Sequence, residues 1–220
     1  LMQAVRDNFD VPAVREYTVE AGRPDCTTPE KLAVIKEYGA TRISINPQTL
    51  SDEVLAAIGR RHTAQDVLDC FAQARRLGHG NINMDLIAGL PLDTPARFAQ
   101  TLQGVLALAP ENITVHTLTL KRASNLVIEH APNAYGDVAR MLDSCALLGE
   151  NGYEPYYLYR QKGTLQNLEN TGYTRPGYAG LYNVFIMEEV HTILSAGAGG
   201  STKLVGPDGH IRRIFNHKYP

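Results

Sequence analysis

The chain has 220 residues, of which 44% are hydrophobic, and 21 Lys and Arg against 23 Asp and Glu give it a formal net charge of −2. A nearly neutral chain exerts no bulk attraction on nucleic acid or on an anionic membrane, which argues against both as partners. The three cysteines lie too far apart for a local zinc knuckle, and their odd number argues against a disulfide scaffold. No apolar run approaches the roughly 20 residues of a membrane span. These features favour a cytoplasmic protein.

The chain begins inside a helical pattern, in which Leu1, Val5 and Phe9 lie on one stripe. Neither an initiator Met nor a capping residue precedes this stripe, and no terminating pattern closes the chain. We therefore expect a fragment of a longer protein.

Strand and helix patterns alternate along the chain. Segments rich in β-branched and aromatic residues predict five strands, at 15–21, 41–46, 82–88, 113–120 and 153–159. Helical patterns begin after Thr28, Ser51, Thr63 and Thr94, and another covers about 133–148. This alternation predicts right-handed βαβ units and a parallel sheet.

The second and third predicted strands alternate between apolar and polar residues. Ser44 and Asn46 share one face of the second strand, and Asn83 and Asp85 share one face of the third. Strands of an open doubly wound sheet would instead be apolar on both faces. The pattern favours an α/β fold, a partial TIM-like (β/α) barrel with a lined cavity and a C-terminal α+β extension. We expect residues 1–122 to form the partial barrel, and 123–220 its last units and the start of a substrate-side region.

Polar residues cluster where the predicted strands end, which is where such folds bind ligands. In chain order these ends carry Glu20, 46–48, Asp85, 119–122 and 160–161. Carboxylates accept hydrogen bonds from hydroxyl or ammonium groups, and the guanidinium of Arg60 suits a carboxylate. Each residue also has a structural interpretation: Asp85 as a buried hydrogen-bond acceptor, Glu20 as a cap, and Arg60 as a solvated charge at a helix end.

Other reactive residue types show no functional spacing. Cys145 and Cys70 lie on apolar helical stripes and Cys26 lies in a loop, so none is predicted to be a nucleophile or a metal ligand. His116 shows no ligand spacing either and is interpreted as a surface or core residue. The small residues at 197–201 would permit close approach of a ligand, but they are equally typical of a turn.

Several segments taken together resemble one family. They are TVEA at 18–21, TRISINPQ at 41–48, GRRHT at 59–63 and NMDLIAGLP at 83–91. Their order and spacing resemble the radical S-adenosylmethionine (SAM) enzymes of the oxygen-independent coproporphyrinogen III oxidase family. PYYLYRQK at 155–162, NTGY at 170–173 and GAG at 197–199 resemble the coproporphyrinogen dehydrogenase (HemZ) branch. The resemblance spans nearly the whole chain.

The resemblance implies a partial barrel with SAM lying across the carboxyl ends of the strands, beside a [4Fe–4S] cluster. It implies that SAM is contacted by Glu20, Gln48, Arg60, Asp85, Thr119 and Ser201. Asp85 or Glu20 would hold the ribose hydroxyls or the methionine ammonium group, and Arg60 would hold the methionine carboxylate. No catalytic residue is assigned.

The cluster-binding part of the family pattern does not occur in this chain. A CxxxCxxC loop and the glycine-rich strand end that follows it are expected upstream of Leu1. Cluster ligation needs several converging thiolates, which the cysteines of this chain do not replace. We therefore expect the cluster only in the full-length parent and no metal site in this chain.

The resemblance also implies a reaction: the oxidative decarboxylation of two propionates of coproporphyrinogen III, which yields protoporphyrinogen IX in haem biosynthesis. The parent would need an electron donor such as flavodoxin or ferredoxin. A substrate with several carboxylates needs cationic anchors, and the candidates are Lys121, Arg122, Arg160, Lys162 and Arg175. Each of them is also typical of a solvated surface charge.

Two other functions stay open. The first is haem binding or haem delivery on the same scaffold, for which the family signature is HNxxYW. Residues 181–185 carry Asn183 but neither the His nor the Tyr-Trp pair, and the chain contains no Trp. The second is a non-radical TIM-type lyase or isomerase, in which Asp85 and Lys121 would act as acid and base.

Overall fold

The computed structural model describes residues 1–119, 137–160 and 168–219. They form two compact units, Leu1–Ala179 and Gly180–Pro220. Three of the predicted substrate anchors, Lys121, Arg122 and Lys162, lie outside the described residues, and so does the start of the helix predicted at 133.

The first unit consists of strands and helices in alternation. Its strands are β1 (Thr18–Gly22), β2 (Arg42–Ile45), β3 (Ile82–Ala88), β4 (Asn112–Thr117), β5 (Glu154–Tyr159) and β6 (Asn170–Thr174). Its helices are α1 (Met2–Asn8), α2 (Pro29–Glu37), α3 (Asp52–Ala57), α4 (Ala64–Arg76), α5 (Pro95–Leu108), α6 (Val138–Asp143) and α7 (Ala146–Glu150). Short 3₁₀ helices cover Val11–Ala13 and Pro24–Cys26.

The strands of this unit form one six-stranded sheet in the order β1-β2-β3-β4-β6-β5. The first four strands are parallel. β6 is antiparallel to both β4 and β5, so β5 runs in the same direction as β1 to β4. The parallel series is confirmed, but the prediction missed β6. Its sequence contains Asn170 and Gly172, residue types that are depleted in strands.

The capping signals begin three of the helices as predicted. The hydroxyl of Thr28 accepts from the Lys31 amide, and that of Thr94 accepts from the Arg97 amide. Thr63 forms a full capping box with Asp66 at the start of α4. Each such bond satisfies an amide that would otherwise lack a partner at a helix start.

One face of the sheet packs against helices and is apolar. Ile43 and Ile45 of β2 and Met84 and Leu86 of β3 are fully buried in a cluster with residues of α2, α4 and α5, among them Leu32, Phe71 and Phe98. Because side chains alternate along a strand, the intervening residues of β2 and β3 point to the other face. The predicted alternation is confirmed, and it leaves the polar residues together on the second face.

The second unit contains α8 (Leu181–Glu188) and the antiparallel pair β7 (Ser201–Val205) and β8 (Ile211–Phe215). Its buried charge is Lys203, whose Nζ donates to the Ile186 carbonyl at 3.1 Å and lies 3.6 Å from Glu189 Oε1. Glu189 also pairs with Arg213 at 2.6 Å. Across the described ranges of both units, no helix has the length and apolarity needed to cross a membrane.

Candidate functional site

The second face of the sheet carries a continuous chain of hydrogen bonds across three strands. Glu20 Oε2 accepts from Asn46 Nδ2 at 3.2 Å, and Asn46 Oδ1 accepts from Ser44 Oγ at 2.7 Å. Asn83 Nδ2 donates to Ser44 Oγ at 3.0 Å and to Asp85 Oδ1 at 2.7 Å. Two candidates far apart in sequence, Glu20 and Asp85, are thereby held in one network. Its middle members, Ser44 and Asn83, are buried.

Asp85 has a second neighbour on β4. His116 Nε2 lies 3.8 Å from Asp85 Oδ1, within ion-pair range, and His116 Nδ1 lies 3.3 Å from the Tyr159 hydroxyl. Burial alone would raise the pKa of Asp85, but the nearby imidazole of His116, the hydrogen bond from Asn83 and the neighbouring Thr114 hydroxyl lower this pKa overall. Asp85 is therefore an ionised acceptor at neutral pH.

Tyrosines of β5 extend this face beyond β4. The Thr114 hydroxyl donates to Asn83 Oδ1 at 3.1 Å and lies 3.4 Å from the Tyr157 hydroxyl. The rings of Tyr157 and Tyr159 are stacked, with centroids 6.3 Å apart. Burial raises the pKa of both phenols, so both stay protonated at neutral pH.

Gln48 is tied to Asp85 through the main chain. Its amide donates to the Asp85 carbonyl at 3.0 Å, and its own carbonyl accepts from the Ile87 amide at 2.9 Å. This bridge requires a left-handed backbone at Gln48, with φ 68°. The structure thus places Gln48 beside Asp85, as predicted from the strand ends.

Arg60 lies at the same edge of the sheet because of how α3 packs. Val54 and Ile58 contact a small apolar cluster with Leu90 and Leu118, which follow the carboxyl ends of β3 and β4. Arg60 comes two residues after Ile58. Its side chain is partly exposed and makes no hydrogen bond or ion pair with any residue in the described ranges. It is available to bind an anion.

Two weaker SAM candidates lie in different units. Thr119 follows β4, where its hydroxyl lies 3.5 Å from the Thr117 carbonyl, so it belongs to the same edge as Asp85. Ser201 begins β7 in the second unit and is exposed. A role for Ser201 at the SAM site stays a prediction.

The two described substrate anchors lie at opposite edges of the sheet. Arg160 follows β5 and pairs with Glu169 at 3.0 Å in an exposed position. Arg175 follows the antiparallel β6, and its amide donates to the carbonyl of Glu111, just before β4. Arg175 therefore lies at the edge of the sheet opposite to Arg160, and its role as a substrate anchor stays a prediction. Its guanidinium lies over the Tyr153 ring instead, 5.1 Å from the centroid.

His116, Tyr157 and Tyr159 are the site residues that sequence reasoning missed. His116 shares a strand face with Thr114, and the register pairs Thr114 with Asp85, so strand parity could have indicated it. The tyrosines carried no comparable signal. They lie on β5, which β6 separates from β4, and Tyr157 reaches Thr114 only across Gly172 of β6.

The donor set fits SAM. The ionised Asp85 and the exposed Glu20 carboxylate can accept from ribose hydroxyls or an ammonium group. The Arg60 guanidinium has no partner among the described residues, and its planar fork suits a methionine carboxylate. Acceptors for the ammonium and hydroxyl groups of SAM and a donor for its carboxylate thus lie along one edge of the sheet.

The residues of this chain do not fit an iron–sulfur cluster. The thiols of Cys26, Cys70 and Cys145 belong to three different elements, and the last two are buried. Burial raises the pKa of Cys70 to about 11 and that of Cys145 to about 12, which disfavours the thiolate needed for ligation. In the part of the chain that the structure describes, no group of three or more His, Cys, Asp or Glu residues could hold a metal ion.

Comparison with known proteins agrees with this fold. The model of the radical SAM superfamily matches residues 5–104. Coproporphyrinogen III oxidase (HemN) from Escherichia coli, described as a radical SAM enzyme, has the same fold: the TM-score is 0.73 at 21% identity, over 99% of this chain and 50% of that chain. Residues 5–104 therefore match the radical SAM superfamily, and the predicted radical SAM fold is confirmed.

Similarity in sequence extends over nearly the whole chain. It is 48% identical to the oxygen-independent coproporphyrinogen-III oxidase-like protein HemZ of Bacillus subtilis, over 99% of this chain and 44% of the relative. It is 27% identical to the heme chaperone HemW of Escherichia coli, over 100% of this chain and 55% of the relative. It spans about half the length of these curated relatives.

Proposed function

We propose that the protein to which this chain belongs is a cytoplasmic radical SAM enzyme that decarboxylates coproporphyrinogen III oxidatively, without oxygen, to protoporphyrinogen IX. The observation that carries the proposal is the hydrogen-bonded network from Glu20 to Asp85, which holds two acceptors at the carboxyl edge of the sheet. The substrate is inferred from the 48% identity to the coproporphyrinogen oxidase-like relative.

In this function the residues of the chain bind and orient SAM, which supplies the oxidising chemistry when it is bound. Asp85 accepts hydrogen bonds as a carboxylate whose orientation Asn83 controls. Glu20 adds a second acceptor, and Arg60 binds the methionine carboxylate. Gln48 and Thr119 line the same edge. The contribution of the protein is to fix the cofactor in one geometry relative to the substrate.

The substrate would be held through its carboxylates. Arg160 already holds a carboxylate, that of Glu169, in an exposed pair. Such a pair contributes little to stability, so a propionate could replace Glu169 at small cost. Lys121, Arg122 and Lys162 are proposed as further anchors. An electron donor such as flavodoxin or ferredoxin would supply the reducing equivalent.

The SAM site is tested by affinity in the full-length protein. Asp85→Asn and Glu20→Gln should each weaken SAM binding, measured by calorimetry, by about tenfold or more, because each removes a charged acceptor. The matched controls are Asp10→Asn and Glu37→Gln, which change exposed carboxylates remote from the network. Unchanged affinity in both site variants would overturn the proposed site.

A second function, haem binding and delivery, is favoured by a different similarity. Over 106 residues the chain is 39% identical to a relative named heme chaperone HemW, from Bacillus subtilis. The full-length protein, reconstituted with its cluster, is assayed for SAM cleavage and product formation with coproporphyrinogen III, and is titrated with haem. Decarboxylated product supports the enzyme. Tight haem binding without product supports delivery.

A further inference from the structure

Asp85 is linked through His116 to a residue more than 70 positions later in the chain. His116 lies between Asp85 Oδ1, at 3.8 Å, and the hydroxyl of Tyr159, at 3.3 Å. The three residues come from three strands, β3, β4 and β5. Because β6 separates β4 from β5 in the sheet, only a long side chain can make this connection.

The packing of β6 shows how the tyrosines cross it. Gly172 is paired with Thr114 on one side and with Tyr157 on the other. A Cβ at Gly172 would overlap the ring of Tyr157, so this ring lies over the glycine and reaches Thr114. Tyr159 is stacked on Tyr157, and this stacking fixes the direction in which its hydroxyl points.

The proton positions in this cluster follow from the chemistry of its members. Burial and the charge of Asp85 raise the pKa of Tyr159, so its hydroxyl keeps its proton and can donate to His116 Nδ1. A neutral imidazole that accepts at Nδ1 carries its proton on Nε2. Nε2 is the nitrogen that faces Asp85 Oδ1. With the Tyr159 hydroxyl as donor to Nδ1, the Nε2–H of His116 faces Asp85.

We propose that His116 is a positioning residue for SAM: held by Tyr159, its Nε2–H orients the Asp85 carboxylate toward the cofactor. This inference rests on the proposed function, since it assumes that Asp85 binds SAM. His116 does not itself contact the cofactor. It acts with Asn83, whose amide donates to Oδ1 at 2.7 Å, so that one hydrogen bond and one nearby imidazole N–H restrict the carboxylate.

The test measures binding of S-adenosylhomocysteine to the full-length protein by calorimetry. His116→Phe keeps a planar ring but removes both nitrogens, and it should weaken binding by about tenfold. His116→Gln keeps an N–H donor toward Asp85 and should stay within about threefold of the parent. Tyr159→Phe should weaken binding by a factor between those of the two His116 variants. Thermal unfolding of each variant identifies any that fails to fold.

A double-mutant cycle separates positioning from a structural role. In an Asp85→Asn background, His116→Phe should have less than about a twofold further effect, because no carboxylate remains to be oriented. The proposal would be overturned if His116→Phe and His116→Gln weakened ligand binding equally. It would also be overturned if His116→Phe still weakened binding in the Asp85→Asn background. If Asp85→Asn itself leaves binding unchanged, the proposed SAM site fails. If it weakens binding while His116→Phe does not, only the role of His116 fails.

Discussion

Gln48 and Asp85 are joined by their main chains. The Gln48 amide donates to the Asp85 carbonyl at 3.0 Å, and the Gln48 carbonyl accepts from the amide of Ile87, two residues further along β3, at 2.9 Å. This extra bridge begins after β2 has ended and forces a φ of 68° at Gln48. The position of the Gln48 side chain relative to Asp85 is therefore set by backbone hydrogen bonds.

The left-handed backbone at Gln48 should tolerate glycine but not a β-branched residue. Gln48→Val should destabilise the protein by about 1–2 kcal/mol, because the branched Cβ clashes with the following carbonyl in this conformation. Gln48→Gly should change stability by less than about 0.5 kcal/mol, since glycine adopts positive φ freely. Urea unfolding measures both. Equal costs for the two variants would contradict the backbone assignment.

Asp93 should make stability depend on pH. Burial raises its pKa to about 6, although the Thr94 amide and the charge of Arg97 oppose the shift. One carboxylate oxygen, Oδ2, is buried and has no hydrogen-bond partner among the residues that the structure describes. The folded state thus binds a proton more tightly than the unfolded state, so stability falls as the pH rises from about 4 to about 6.

Asp93→Asn removes the cost of burying a charged carboxylate at this position. It should stabilise the protein by about 1–3 kcal/mol above pH 6, and the gain should disappear below about pH 4. Chemical unfolding over this pH range measures the difference. The exposed Asp10→Asn is the control and should shift stability by less than about 0.5 kcal/mol throughout. A gain for Asp93→Asn that does not vary with pH would contradict the buried charge.

Gly172 should be required for the tyrosine packing. Gly172→Ala forces the ring of Tyr157 to move, at an expected cost of about 1–3 kcal/mol, and the variant should also weaken the contact with Thr114. Gly149→Ala is the matched control. This glycine lies in α7 with no atom near the added Cβ, so its variant should be neutral or slightly stabilising. Thermal unfolding compares them, and equal effects would refute the close approach.

Glu111 should contribute more to the stability of the fold than a typical surface carboxylate. Its Oε1 pairs with Arg75 Nη2 at 2.9 Å, and its Oε2 accepts from the Ile82 amide at the start of β3, also at 2.9 Å. Glu111→Ala should cost about 2–3 kcal/mol, because a strand amide and a guanidinium lose a charged partner. Glu53→Ala, which breaks the exposed pair with Arg97, should cost less than about 1 kcal/mol. Urea unfolding compares the two, and similar costs would contradict a bridging role for Glu111.

Much of the fold was predictable from local patterns. Alternation along β2 and β3 indicated one apolar and one polar face, because the side-chain period of a strand is set by its backbone. The capping residues Thr28, Thr63 and Thr94 marked helix starts, because their hydroxyls satisfy amides a few positions away. β6 was missed because its strand is imposed by its neighbours β4 and β5 and not by its own residue types.

The chain sequence by itself determined which residues stand at the strand ends, since strand direction and spacing follow from local periodicity. That information was enough to name Glu20, Gln48 and Asp85, while Arg60 was named from its guanidinium chemistry and from the family resemblance. Only the tertiary structure decided that Arg175 lies at the other edge, and that Tyr159 reaches His116 beside Asp85. Both outcomes depend on the order β4-β6-β5 in the sheet, which arises from contacts between segments distant in sequence. Such contacts cannot be predicted from local periodicity.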